Sequence, residues 1–367
     1  MLNILKLILF VGILLAVTPS HRLYGWSVLL LLTIGVVVST FFKKSDYMSL
    51  ISVKLVVAIF MDATLFIFNC VIIVAATSWK RKQWNKLMRN LKMMSLQFNN
   101  LASYVSCLLV HLIFWAVTVY DTYAWTDIMG IEFFKQYGVE ILQSYLLFHY
   151  QYLIYVILLT LLSSYRNLIS RLSSCAQINY SDVIKIKHHL SLLQATVQYF
   201  NDVFGWSFLL IILYTSLQVL NYFDDSFKSG SLYDENEYDE VIISNVCFLI
   251  ITAGATTVLI WLCDAVLQEA KVVFVLTRRF RYSADIKMQK MEKFLWAVTN
   301  NCPRFSAAGF FFIDRSLILK ILSVIFGFLI VMIQLKERVK FSDCVTLRVN
   351  NTPFLLNYTH QSFIEQK

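Results

Sequence analysis

The sequence contains little that would break a long helix. Among 367 residues there are three prolines, at 19, 303 and 353, and ten glycines. Charge is equally scarce: 15% of residues are Asp, Glu, Lys or Arg, where an ordinary soluble domain has about a quarter. With 58% hydrophobic residues the chain is too apolar for a soluble globule of this size, and it reads as a polytopic membrane protein. The seven cysteines, at 70, 107, 175, 247, 263, 302 and 344, include no CxxC pair, so neither a disulfide framework nor a thiolate metal site is indicated. A hydrolase elbow, zinc-ligand spacing, a phosphate loop and paired carboxylates on a soluble face are all missing. The expectation is therefore no enzyme and no cofactor. The net charge of +9 is spread over membrane-flanking loops and not gathered on one face, so no nucleic-acid partner is expected.

What the chain does have is apolar runs. Spans are predicted at about 24–42, 50–76, 101–121, 140–162, 204–221, 241–264 and 318–335, giving an all-α membrane protein with seven transmembrane helices. One membrane domain, 24–335, is preceded by a segment at 1–23 and followed by a hydrophilic tail at 336–367; within it, 265–317 forms an inner-loop region. Residues 1–18 carry one lysine, Lys6, and end before Pro19. They read as a helix along the inner membrane face or as an extra span.

The basic residues set the orientation. Lys and Arg number two in 1–23, six in 77–100, four in 163–203 and eight in 265–309. The alternate loops hold two in 43–49, one in 122–139 and one in 222–240. This bias predicts a cytoplasmic N-terminus and an extracellular C-terminus. The direction is opposite to that of a G-protein-coupled receptor. Neither an Asp-Arg-Tyr after the third span nor an Asn-Pro in the seventh is present.

Several polar residues fall inside the spans. Asp62 shares a helix face with Asn69, and an intramembrane carboxylate either bonds between helices or contributes to gating or ligand contact. Trp115 and Tyr120 end the third span, Tyr145, His149 and Tyr152 lie on one face of the fourth, Tyr214 and Gln218 on the fifth, and Thr252 on the sixth. Such amphipathic side chains either line a small-molecule pocket or satisfy one another in the bundle. The basic stretch at 77–100 holds Trp79 and Trp84 at helical spacing and reads as an interfacial helix with its aromatics at the headgroups. Seven acidic residues between Asp224 and Glu240 make either a solvated loop or a cation-gathering one. Asn350 and Asn357 open glycosylation sequons in the tail; Asn179 opens a third on the inner side.

The last span carries the sharpest pattern. Ser323, Gly327, Val331 and Gln334 stand at i, i+4, i+8 and i+11, within roughly 80° of one another at about 100° per residue. A small, polar edge on a greasy rod either lines an aqueous path or forms a packing seam with Gln334 bonded to a neighbouring helix.

The same stretch resembles the signature of insect gustatory receptors, in which a Thr-Tyr pair, five hydrophobic residues and a Gln-Phe pair close the last span. Here Gly327-Phe328 precede Leu329 to Ile333, then Gln334-Leu335, so the glutamine is kept and the other three markers differ. GFFFIDRSLILKIL from Gly309 and LLAVTPSHRLYGWS from Leu14 are also similar to what the family carries at those places. The resemblance implies an insect chemoreceptor-like bundle: a ligand-gated, non-selective cation channel subunit for a small tastant, in the plasma membrane of chemosensory neurons. It implies a homo- or hetero-tetramer around the last helix, with Gln334 and Val331 at the outer constriction and Gly327 and Ser323 deeper. The family's inner helix ends form a cytoplasmic anchor, which the stripe Met288, Met291, Leu295 and Val298 would suit; packing within one subunit would suit it equally. The alternative is a heptahelical receptor or scaffold that signals through a cytoplasmic partner without conducting.

Overall fold

The computed structural model describes residues 2–49, 52–94, 100–174, 180–226, 235–280 and 303–350. The inner-loop stripe and the sequons at Asn179 and Asn357 lie outside these. Two units are distinguished, Met1–Lys320 and Ile321–Lys367. Among the described residues seven helices are long and apolar enough to cross a membrane, the number expected.

Helix α1 (Leu2–Leu14) is 13 residues long, about 20 Å at about 1.5 Å per residue, short of a bilayer core. It is stopped by Ala16, which adopts φ 58°. The Ala16 N–H bonds the Ile13 carbonyl at 3.1 Å and the Val17 N–H bonds Gly12 at 2.9 Å, the two bonds that close a helix through a left-handed residue. The reversal lays α1 against α6 (Asn100–Met129) and α7 (Glu132–Ser174), with Leu5 and Ile8 buried.

Helices α2 (Arg22–Phe42) and α6 wear their apolar side chains outward. Leu23, Leu31 and Phe41 on the first, and Leu108 and Leu112 on the second, are all exposed. In water that surface would aggregate; in lipid it is the expected solvent-facing side. A short helix α3 (Lys44–Ser49) leads to α4 (Ser52–Val74). Hydroxyls within the spans are satisfied by their own helix: Thr33, Thr64 and Thr118 each donate to the carbonyl four residues back, at 2.6–2.9 Å.

Helix α7 is the axis of the first unit. Of its apolar window 83% is buried, against 17% for α2 and for α6. It packs most extensively on α9 (Glu235–Phe280), while α4 packs on α8 (Tyr180–Ser226). At 43 to 47 residues, α7, α8 and α9 are each about 65–70 Å long, roughly twice the hydrocarbon thickness. The stretch 163–203, which hydropathy alone reads as a loop, is therefore largely helix projecting beyond the bilayer.

A π-helical turn, Ala75–Trp79, joins α4 to α5 (Arg81–Met94). Helix α5 buries Trp84, Leu87, Leu91 and Met94 on one stripe against α7 and α8. Trp84 stands edge-on to Phe204 at 5.2 Å and is fully buried, so its ring packs within the protein and is not presented outward to headgroups. Asn90 Nδ2 donates to Thr196 Oγ1 at 3.2 Å within the same seam.

A small hairpin, β1 (Ser306–Ala307) and β2 (Phe311–Phe312), docks on α8. Asn201 holds it at two points, donating from Nδ2 to the Arg304 carbonyl at 2.6 Å and accepting the Ser306 N–H at 3.2 Å. Phe305 is buried against Phe200. The close approach needs Gly205: a Cβ there would stand 2.9 Å from the Ala308 backbone nitrogen. Because backbone cannot swing aside as a side chain does, Gly205→Ala is expected to cost about 1–3 kcal/mol. Thermal melting of the detergent-purified variant measures this; an unchanged midpoint would show that the hairpin does not rest on α8 as described.

The last helix, α10 (Ser316–Asn350), begins after Asp314, whose carboxylate accepts the Ser316 hydroxyl at 2.5 Å. That bond holds the Asp314 pKa below its ordinary value. Arg315 pairs with Asp264 of α9 at 2.6 Å. The helix continues past Leu335 because Lys336, Glu337, Arg338 and Lys340 are good helix formers and no proline occurs before Pro353.

Candidate functional site

Within the first unit the helices part around a cavity of about 440 Å³. Each wall is built at helical spacing. Helix α4 presents Lys54, Ala58, Met61 and Asp62; α6 presents Phe114, Thr118, Asp121 and Trp125; α7 presents Phe133, Tyr137, Glu140, Ile141 and Ser144. Helix α8 adds Tyr214, Gln218, Asn221 and Tyr222, and α9 adds Val241, Asn245 and Phe248 among others. Rings and aliphatic groups cover the body of the space while amides, hydroxyls and charges punctuate it, the composition of a small-molecule site.

One end is closed by an ionic cluster. Lys43, directly after α2, sends its Nζ to Glu140 Oε2 at 2.6 Å and to Asp62 Oδ2 at 3.2 Å, and lies 4.3 Å from the centre of the Tyr137 ring. Its side chain is only 6% exposed. Burial by itself pushes the Lys43 pKa down, but the two carboxylates outweigh it and hold the ammonium charged beyond the ordinary lysine range. The Tyr47 hydroxyl, on α3, donates to Asp62 as well. Burial and then the Asp62 charge raise its pKa. Three chain segments far apart in sequence are pinned by this one lysine.

Of the residues singled out from sequence, Asp62, Tyr214 and Gln218 line the cavity. Thr252 stands directly behind, its hydroxyl 2.7 Å from Gln218 Oε1. A chain of polar contacts continues inward, with Thr252 O accepting from Thr256, whose Oγ1 meets Thr215 at 2.9 Å and Gln151 at 3.2 Å. Tyr145, His149 and Tyr152 do share a face, but they gather around His111 of α6, with ring centres 5.4–6.1 Å from it. Trp115 packs on Tyr145 at 5.0 Å with its outer side exposed. None of these four lines the cavity, nor does Tyr120, which is half-buried. Asn69 is buried and its Nδ2 bonds the Leu65 carbonyl of its own helix at 2.8 Å. On α10, Ser323, Gly327, Val331 and Gln334 are all exposed in the single chain.

Sequence reasoning missed Lys43, Tyr47, Asp121, Tyr137 and Glu140. The available signal was the placement of Lys43, Asp121 and Glu140 at the ends of three predicted spans.

A family model described as 7tm chemosensory receptor matches residues 5–338. No curated protein matches the chain. Among solved structures, the insect olfactory receptor OR5 from Machilis hrabei superposes with a TM-score of 0.59 at 10% identity, over 84% of this chain and 88% of that one. The same receptor in complex with eugenol gives a TM-score of 0.62 at 11% identity, over 90% of this chain and 98% of that one. At such identities the likeness is one of fold. Matched along nearly its whole length by the family model and built on the same helical plan, this multi-pass membrane protein belongs to the 7tm chemosensory receptor family.

Proposed function

We propose that the chain is a gustatory receptor: a subunit of a ligand-gated, non-selective cation channel in the plasma membrane of chemosensory neurons, taking a small tastant into the cavity described above. The observation that carries this reading is the 440 Å³ space itself, enclosed by side chains of five spans and mixed in polarity, within a chain of a chemosensory family. The N-terminus is cytoplasmic and the C-terminus extracellular, as the loop charges suggest. That places Asn350 and Asn357 where glycans are added. Four copies, identical or mixed, meet around α10, with Gln334 and Val331 at the outer constriction and Gly327 and Ser323 deeper. Ligand binding opens the pore to the extent that the open bundle binds it more tightly than the closed one.

The test is an agonist screen of the expressed chain, alone and beside other family members, covering sugars, bitter compounds and volatiles and recorded in excised patches without cytosol. Agonist-evoked current is the expected result. Silence in patches, combined with ligand responses in intact cells, would replace the channel with a receptor that works through a cytoplasmic partner.

A further inference from the structure

The cavity is unequal in charge. Two lysines, Lys43 and Lys54, face three carboxylates, Asp62, Asp121 and Glu140, so with all five ionised one negative charge is in excess. Lys43 is committed to Asp62 and Glu140. Asp121, on α6, is within electrostatic reach of Glu140 but bonds to none of that cluster, and among the described residues it has hydrogen-bonding partners but no paired cation. The Ser244 hydroxyl donates to Asp121 Oδ1 at 2.5 Å, and the Trp125 side chain one turn on is its second hydrogen-bonding neighbour. The indole of Trp125 and the ring of Phe114 line the same wall. Asn221 supplies a further acceptor, an Oδ1 that is buried and bonded to nothing among the described residues.

A carboxylate with no paired cation among the described residues, in a cavity walled by aromatic rings, is complementary to one chemistry. An organic ammonium neutralises the charge and lays its polarised C–H or N–H groups on the ring faces. An inorganic cation would satisfy the carboxylate but leave the aromatic walls and most of 440 Å³ unused. From this we infer that the ligand class of the cavity is the organic ammonium ion, with Asp121 as counter-ion and Trp125 as the ring against which the cation rests. The inference rests on the reading of the cavity as the ligand site and narrows it.

Benzyltrimethylammonium and its uncharged carbon isostere, neopentylbenzene, have the same shape and separate charge from fit. Binding to the purified full chain, followed by calorimetry or by the ligand-induced rise in melting temperature, is expected to favour the ammonium by about ten-fold or more. Asp121→Asn keeps an acceptor for Ser244 and is expected to erase that preference; Asp121→Glu should retain it. Equal affinities for the two probes, or a preference that survives Asp121→Asn, overturn the inference. If neopentylbenzene binds, Ala58→Trp blocks it, and the ammonium does not bind, the charge assignment fails and the pocket stands. If neither probe binds, both fail.

Discussion

Lys43→Ala is expected to destabilise the folded bundle by about 3 kcal/mol, near the lower end of what removing one partner from a buried ion pair costs. The lower end applies because the Asp62 and Glu140 side chains keep 29% and 23% of their surface. The loss arises less from the missing attraction than from the two carboxylates left facing each other with no cation between them. Detergent-extracted protein should show a lowered melting midpoint and a smaller monodisperse fraction on size-exclusion. Asp62→Asn, which leaves the Lys43–Glu140 pair intact, should cost clearly less. Alkaline buffer should not imitate the lysine variant. A group whose folded pKa is raised contributes fully below its unfolded value, about 10.4 for lysine, and loses that contribution only as pH climbs through the folded value. A midpoint for Lys43→Ala equal to that of the parent chain would mean the cluster is not the clasp described here.

The second large effect concerns ligand response. Ala58 lies on the α4 wall of the cavity, and an indole placed there takes up a substantial part of the 440 Å³. Ala58→Trp should reach the cell surface and yet respond to the parent chain's best agonist only at concentrations about a hundred-fold higher, or not at all, since overlap with a buried ligand forfeits several kcal/mol of contact. The same substitution at Val119, which is 65% exposed on α6, provides the control and should respond normally. Equal sensitivity of Ala58→Trp and the parent would remove the cavity from the mechanism.

How much of this was legible beforehand depended on which physical signal each residue carries. Long apolar runs announce themselves, so the seven crossing helices could be counted from the sequence. The projecting ends of α7 and α8 could not, because hydropathy registers a polar stretch such as 163–203 as a loop whether or not it is helical. Trp84 misled for a related reason. A tryptophan among lysines reads as an interfacial anchor, and only the contact with Phe204 of α8 reveals a second layer of packing.

Tyr214, Gln218 and Asp62, which line the cavity, stood out in the sequence because each is polar in the middle of an apolar run. Lys43, Asp121 and Glu140 escaped because each sits at the end of a span, where water normally accounts for charge. Their pairing spans a sequence separation of 97 residues for Lys43 and Glu140, which no local pattern encodes. Tyr145, His149 and Tyr152 were correctly placed on one face by their spacing, but spacing does not say what that face meets. It meets His111 of α6, not the cavity.

In the proposed receptor a ligand in the cavity controls ion flow along the exposed edge of the last helix, and cysteine accessibility tests that link most directly. Val331→Cys channels in excised patches should lose agonist-evoked current irreversibly when a charged thiol reagent is applied, faster with agonist present than without it. The parent chain, with its native cysteines, should be unaffected. Modification of Val331→Cys that leaves the current intact, or proceeds at the same rate with and without agonist, would contradict the assignment of this edge to a gated pore.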